Sequence, residues 1–129
     1  MDSYYGYDTP DEAIKVKGQK IQIAEKKIKN AARNKHAQME KVLVQKYGRK
    51  AFDAMEDFRP YIGMPEGIVR EYRLVMQDVN FIAYGFVRVE SGYKVYHPTR
   101  LFAMTASYIN ARFPRAIYTK NGKVAAIKW

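Results

Sequence analysis

The hydrophobic pattern of this chain first changes its period at a stretch rich in proline and glycine that runs from Pro60 to Gly67. Before this stretch, apolar residues recur at steps of three, four and seven, the spacing of one helical face. Beyond it, short runs of alternating apolar and polar residues are typical of strands. Because the two patterns occupy separate parts of the chain, the sequence predicts an α+β fold. We expect an N-terminal arm and basic helical region over 1–59 and an α+β sheet domain over 60–129, packed as one compact unit.

Two helices are predicted in the first region. The first begins at Thr9-Pro10-Asp11-Glu12, where a capping residue precedes a proline and two acids oppose the positive helix terminus. It ends at Gly48, so it would be about 57 Å long at 1.5 Å per residue and would either break near Gly18 or protrude. A second, shorter helix is expected over 49–58. The apolar stripe of the first helix comprises Ile14, Ile21, Ile28, Ala32, Met39 and Leu43, and the inward side chains of the second are Phe52, Met55 and Phe58.

The second region is predicted to contain five strands and a third helix. Strands are expected over 68–76, 81–89 and 93–97, with a tight turn at Ser91-Gly92. The dipeptide Asn121-Gly122 between two alternating runs predicts a C-terminal β-hairpin. We therefore expect a small antiparallel sheet with one packed helix. That helix follows Pro98, ends at Pro114 and has three-four spacing at Leu101, Met104, Thr105, Tyr108, Ile109 and Arg112.

Positive charge is concentrated in the first helix. Residues 15–50 contain twelve Lys and Arg and two acids, a difference equal to the formal net charge of +10 for the whole chain. Ordinary helix surfaces mix signs, whereas phosphate binding needs dense basic side chains because counterion release drives it. The pattern favours contact with the backbone of DNA or RNA; an acidic protein surface and a plain solvated helix are the alternatives. The predicted phosphate-binding residues flank or oppose the apolar stripe and are Lys15, Lys20, Lys26, Lys27, Lys29, Arg33 and Lys41.

A second candidate surface lies on the strand predicted over 81–89. Tyr84, Phe86 and Arg88 alternate along it, so two rings and a guanidinium group are expected on one face. If that face is exposed, these groups can stack on the bases of a single strand. If the third helix covers it, they belong to the core, which is the commoner position for phenylalanine in a strand.

The same segment carries a short family resemblance. The octamer 82–89 resembles the signature of RNA-recognition-motif domains, and its residues 84–87 match four positions of that signature. Ile82, Ala83 and Val89 depart from it at the positions of the basic residue, the glycine and the last aromatic. That family also requires a strand and a crossover helix before this strand, and the predicted order here has neither. The resemblance therefore implies base stacking by aromatic residues and not the family's fold.

The sequence offers little for catalysis. His36 and His97 lie in different predicted elements, and neither has a partner at the spacing of zinc ligands. The chain has no phosphate-loop glycine motif and no nucleophile elbow. Asp78, Glu90 and Lys94 are the residues that the sheet region offers to a metal-dependent nuclease. We predict a non-catalytic protein without a cofactor or metal. If the protein were an enzyme, metal-dependent nuclease is the activity that its residues would fit best.

Other features concern compartment and assembly. The chain has no cysteine, and its first residues lack the basic and apolar parts of a signal peptide. The longest apolar run, at 81–87, is far shorter than a membrane span. We therefore expect a cytoplasmic or otherwise intracellular protein that does not bind membranes. A tyrosine-rich arm at 1–8, and Val16 and Ile23 opposite the main stripe, are compatible with a homo-oligomer. They support the second hypothesis, a structural, assembly or inhibitor protein, including one of viral type, that docks its basic helix on an acidic protein partner.

Overall fold

A computed structural model describes residues 32–76 and 79–129. These residues form four helices and two antiparallel sheets, which confirms the α+β class and the C-terminal hairpin. The N-terminal arm and the start of the first predicted helix lie outside the described residues. The helices are α1 (32–47), α2 (Arg49–Glu56), α3 (Glu66–Glu71) and α4 (Arg100–Tyr108). The strands are β1 (Arg73–Met76), β2 (Val79–Ile82), β3 (Tyr84–Glu90), β4 (Tyr93–Pro98), β5 (Ala116–Lys120) and β6 (Lys123–Lys128).

The larger sheet has four strands in the order β3-β4-β5-β6, and β1 and β2 form a separate pair. Every neighbouring pair is antiparallel; tight turns join β3 to β4 and β5 to β6, whereas the connection from β4 to β5 contains α4. The β5–β6 turn occurs where the sequence predicts it, with φ of 54° at Asn121 and 76° at Gly122. Two successive positive φ angles match the twist of the strands, and Asn and Gly tolerate them best.

Two of the predicted strands differ from the structure. The segment predicted as one strand over 68–76 begins as helix α3 and becomes extended only at Tyr72. Ile68 and Val69 are adjacent and both fully buried, which one helical turn permits but a strand covered on one face does not. The strand predicted over 81–89 is divided at Ala83, where the chain leaves β2 and joins the larger sheet in β3.

One hydrophobic core joins the parts of the chain before and after residue 60. Leu43 of α1 and Phe52 of α2 are buried together with Tyr72, Tyr96 and Phe102. In the described part of the α1 stripe, Leu43 is buried and Ala32 and Met39 are half-buried, which confirms that this face packs against the protein. Phe52 and Met55 are also buried as predicted, and Phe58 is half-buried.

Phe102 lies at the centre of the contact between α4 and the rest of the protein. Its ring centroid is 5.0 Å from that of Phe58, 5.3 Å from that of Tyr84 and 5.5 Å from that of Phe113. Such edge-on or tilted aromatic contacts add to the stabilisation from burial. The helix begins at Thr99, whose side chain accepts a hydrogen bond from the Phe102 amide. A cap and a buried ring one turn later therefore fix the position of α4.

A buried carboxylate links α3 to the larger sheet. Glu66 is 6% exposed and accepts a hydrogen bond of 2.5 Å from the Tyr96 hydroxyl, while Lys94 Nζ lies 3.6 Å from the same oxygen. Burial, and then the hydrogen bond to Glu66, raise the pKa of Tyr96. Both groups therefore keep a polar partner inside the protein. Within residues 32–76 and 79–129, no helix is both long enough and apolar enough to cross a membrane.

Candidate nucleic-acid interface

The predicted basic helix is described only from residue 32 onward. In that part, Arg33 and Lys41 are exposed on α1, so both side chains are available to a phosphate. The positions of the other predicted phosphate-binding residues stay predictions. Those that lie outside the described residues are Lys15, Lys20, Lys26, Lys27 and Lys29.

Several cations near the α1–α2 junction are already paired with carboxylates. Lys46 Nζ lies 2.8 Å from Glu71, and an Arg49 guanidinium nitrogen lies 2.8 Å from Glu40. The hydrogen bond to Glu40 is the main cause that raises the pKa of Arg49. His36 of α1 contacts Glu56. The net charge of this region is therefore partly neutralised on the protein itself.

The predicted stacking residues of β3 lie in three different environments. Tyr84 is 2% exposed, and its hydroxyl donates a hydrogen bond of 2.8 Å to the Pro114 carbonyl. Burial raises its pKa, and the charge of Arg115 partly opposes that shift. The Tyr84 ring therefore belongs to the core, which was the alternative to base stacking, and it is not available to a base. Phe86 is 55% exposed, and an Arg88 nitrogen pairs with Glu90 at 2.9 Å.

A β-bulge also separates these residues by face. Phe86 lies opposite Tyr96, and after the bulge Arg88 lies opposite Val95. Because Val95 and Tyr96 are consecutive in β4, their side chains point to opposite faces of the sheet. Phe86 and Arg88 therefore do not share a face; the predicted alternation is confirmed for Tyr84 and Phe86 and is wrong for Arg88. An extra residue in one strand has this effect, and nothing in the sequence marks it.

A second basic region lies outside 15–50, and the net charge of zero for the rest of the chain does not reveal it. Residues 91–129 contain seven Lys and Arg and no Asp or Glu. The chain outside 15–50 sums to zero because acids at 1–12 and 53–90 cancel this segment numerically. Those acids do not neutralise the positive charge of 91–129 unless they lie beside it in the folded protein. The signal was present in the sequence as an acid-free run of thirty-nine residues.

Part of this region forms a compact cationic surface beside the single tryptophan of the chain. The Arg112 guanidinium carbon lies 5.0 Å from the centre of the Trp129 ring. A cleft of about 380 Å³ is lined by Arg112, Trp129, Arg59 and three other residues. Two more exposed cations adjoin this cleft through the backbone: the Arg115 amide donates a 2.7 Å hydrogen bond to the Lys128 carbonyl, and the Arg115 guanidinium carbon lies 4.7 Å from the centre of the Phe113 ring. We call this the Arg-Trp surface; its members are Arg59, Arg112, Arg115, Lys128 and Trp129.

Local sequence explains why the two central arginines point outward. Asn110, with φ of 60°, ends α4, and the Ala111 amide bonds back to Ala106. Of the four residues 112–115, the central pair Phe113 and Pro114 is buried, whereas Arg112 and Arg115 on either side are exposed. The buried pair fixes the backbone, so both guanidinium groups are presented from a rigid segment.

The electrostatics of the Arg-Trp surface differ from those of α1 and α2. In the part of the chain that the structure describes, none of its four cations forms an ion pair with a carboxylate. Asp57 lines the cleft without pairing with them. Guanidinium groups bind phosphate oxygens in a forked geometry, and an indole ring stacks on bases. The surface thus combines a site for phosphates with a half-exposed aromatic ring.

The residues considered for nuclease chemistry do not meet in the described part of the chain. Glu90 pairs with Arg88, Lys94 pairs with Glu66, and Asp78 lies outside the described residues. Among the residues that are described, no group of three or more His, Cys, Asp or Glu side chains is arranged to hold a metal ion. His36 and His97 lie in α1 and β4 respectively.

Comparison with protein-family models, with curated proteins and with solved structures finds no match to this chain.

Proposed function

We propose that this protein is a non-catalytic nucleic-acid-binding protein that contacts the phosphate backbone. The observation that carries the proposal is the Arg-Trp surface, where Arg112 lies 5.0 Å from an exposed indole, Arg59 lines the same cleft, and none of the four cations has a carboxylate partner in the described chain. Arg33 and Lys41, together with the basic residues predicted over 15–29, extend the cationic character of the molecule. Because cations far outnumber side chains suited to reading base edges, backbone contacts dominate.

The indole favours one form of nucleic acid over another. Trp129 is 44% exposed, and a ring can stack only on a base that is unstacked from its neighbours. Paired bases in a duplex do not present their faces in this way. The surface therefore fits single-stranded DNA or RNA better than duplex. The absence of cysteine supports a reducing compartment such as the cytoplasm as the place of this activity.

Salt dependence of binding tests this proposal. The full chain is titrated with fluorescent single-stranded DNA, single-stranded RNA and duplex DNA at several salt concentrations. Each phosphate contact to a single strand contributes roughly 0.7 to the slope of log K against log salt, so four contacts predict about −3 or steeper. Absence of binding to all three probes at low ionic strength would contradict the proposal.

A second candidate function is assembly with an acidic protein surface. The observation that favours it is the number of large apolar side chains exposed on α4 and β3, among them Leu101, Met104 and Val89. A nucleic-acid surface gains little from aliphatic groups, whereas protein interfaces bury them. Tight binding to one protein, with little dependence on salt, would support this function over the first.

A further inference from the structure

The outer face of α4 carries an apolar stripe that folding leaves exposed. Leu101, Met104, Tyr108 and Ile109 are 56%, 59%, 91% and 58% exposed. They follow the three-four spacing of a helical face, yet the residues that α4 buries are Phe102 and Ala106. Monomeric proteins seldom expose contiguous apolar groups of this size, and those that do generally use them in binding.

Burial of the stripe is not needed for the stability of the helix. The Thr99 cap and the contacts of the Phe102 ring already hold α4 in place. Methionine and tyrosine are suited to interfaces, the first because its side chain adapts and the second because its ring is rigid and amphipathic. The stripe therefore has the composition and position of a docking surface.

Charges around the stripe restrict what it can receive. Arg100 is exposed at one end of α4 and Arg112 lies beyond the other, and 91–129 contains no acid. A symmetric antiparallel pairing of two α4 helices would bring arginine towards arginine, which is unfavourable. A segment that combines rings or aliphatic groups with carboxylates is complementary to this surface.

The chain itself contains such a segment. Residues 2–12 carry four acids and three tyrosines and no Lys or Arg. We infer that this segment of one copy docks on the α4 stripe of a second copy. Its rings cover Leu101, Met104 and Tyr108, and its carboxylates face Arg100 and Arg112. The inference goes beyond the proposed function, with which its surface shares only Arg112.

Chain length favours a second copy over the same copy. If the first helix continues to Glu12 without a break at Gly18, which is one of the two forms that its sequence allows, that residue lies about 30 Å from residue 32 at 1.5 Å per residue. The β1–β2 hairpin lies between α1 and α4 of the same copy: the Arg73 amide contacts Met39 on one side, and Thr99 contacts Ile82 on the other. Reciprocal exchange of the segment would close a dimer, whereas head-to-tail repetition would build a ring or an open assembly.

Photo-crosslinking of the full chain tests the docking directly. The photoreactive residue p-benzoylphenylalanine replaces Tyr5, and a mixture of isotopically heavy and light protein is irradiated without nucleic acid. The expected product joins residue 5 of one isotope to the segment 99–112 of the other, identified by mass spectrometry. A cross-link within one copy, a cross-link to another surface, or no cross-link at micromolar concentration overturns the inference.

Two matched variants separate specific docking from general adhesion. The combined variant Leu101→Ser, Met104→Ser and Tyr108→Ser is expected to lose at least 90% of the cross-link and to shift the protein towards monomer in light scattering. Replacing Val42, Ile62 and Val89 with serine removes three exposed apolar groups elsewhere and should leave the cross-link unchanged. Equal loss in both variants, or retention in the first, overturns the inference, provided circular dichroism shows that both are folded.

A negative cross-linking result does not affect the nucleic-acid proposal, and absence of nucleic-acid binding does not affect the docking inference. The α4 triple variant retains all four cations of the Arg-Trp surface, so its salt-dependent binding should equal that of the unchanged chain. Loss of nucleic-acid binding in this variant would instead place the nucleic acid on α4 and contradict the assignment of the stripe to the N-terminal segment.

Discussion

Replacing Tyr84 with alanine is expected to lower the free energy of unfolding by about 3–5 kcal/mol, the range for losing a buried aromatic ring. The side chain is 2% exposed, and its ring centroid lies 5.3 Å from that of Phe102. The substitution leaves a cavity beside Phe102 and leaves the Pro114 carbonyl without its 2.8 Å hydrogen bond. Denaturant unfolding followed by circular dichroism measures the change.

Phe86 provides the matched control, since it is an aromatic residue two positions along the same strand. It is 55% exposed and makes an edge-on contact with Tyr96 at 5.9 Å. Replacing it with alanine should change the free energy of unfolding by about 1 kcal/mol or less. If this ring stacks on a base, the variant loses about 1–3 kcal/mol of single-strand binding instead. Equal destabilisation by the two substitutions would contradict the placement of Tyr84 in the core and Phe86 at the surface.

The largest effect on binding is expected from the Arg-Trp surface. Replacing Arg59, Arg112 and Arg115 with glutamine removes three charges from side chains that have no ion pair in the described residues. If each contacts one phosphate of a single strand, the salt slope shrinks by about 2, at roughly 0.7 per contact. The affinity at 0.1 M salt then falls on the order of 100-fold. Fluorescence anisotropy over a salt series measures both quantities.

The control for this variant removes the same charge from cations that the protein already pairs. Lys46, Arg49 and Arg88 form ion pairs of 2.8 to 2.9 Å with Glu71, Glu40 and Glu90, and all three are at least 47% exposed. Replacing them with glutamine changes the net charge by the same amount but removes no phosphate contact. Its salt slope should remain that of the unchanged chain. Equal loss in the two variants would mean that net charge, and not the Arg-Trp surface, determines binding.

Those parts of the fold that local chemistry determines could be predicted from the sequence. Asn121-Gly122 tolerates the positive φ angles of a hairpin turn, and the sequence predicts that turn correctly. The predicted start of α4 after Pro98 is also correct, but the prediction that it ends at Pro114 is wrong, because the helix ends at Tyr108 and Arg112 lies outside it. Ile68 and Val69 were assigned to a strand because a short apolar run fits a buried strand and a buried helical turn equally well. Only tertiary burial of both side chains decides between these two structures.

The candidate site was less accessible to sequence analysis. Arg59, Arg112 and Trp129 are far apart in sequence, so no motif relates them. The acid-free run over 91–129 was the sequence signal for this basic surface, and the charge sum over the chain does not show it because acids elsewhere balance it numerically. The bulge between Phe86 and Arg88 and the pairing of Arg88 with Glu90 depend on the register of β3 against β4. Such details follow from strand pairing, which the order of residues alone does not determine.

The most direct measurement of the central claim is the fluorescence of Trp129 during titration with single-stranded nucleic acid. The chain has one tryptophan, and it lies in the cleft beside Arg112, so its emission reports on this surface alone. Binding at the Arg-Trp surface predicts saturable quenching that follows the anisotropy of a labelled oligonucleotide and is reversed by salt with the same slope. Binding detected by anisotropy with no change in tryptophan emission would contradict the account, because nucleic acid would then bind elsewhere on the protein.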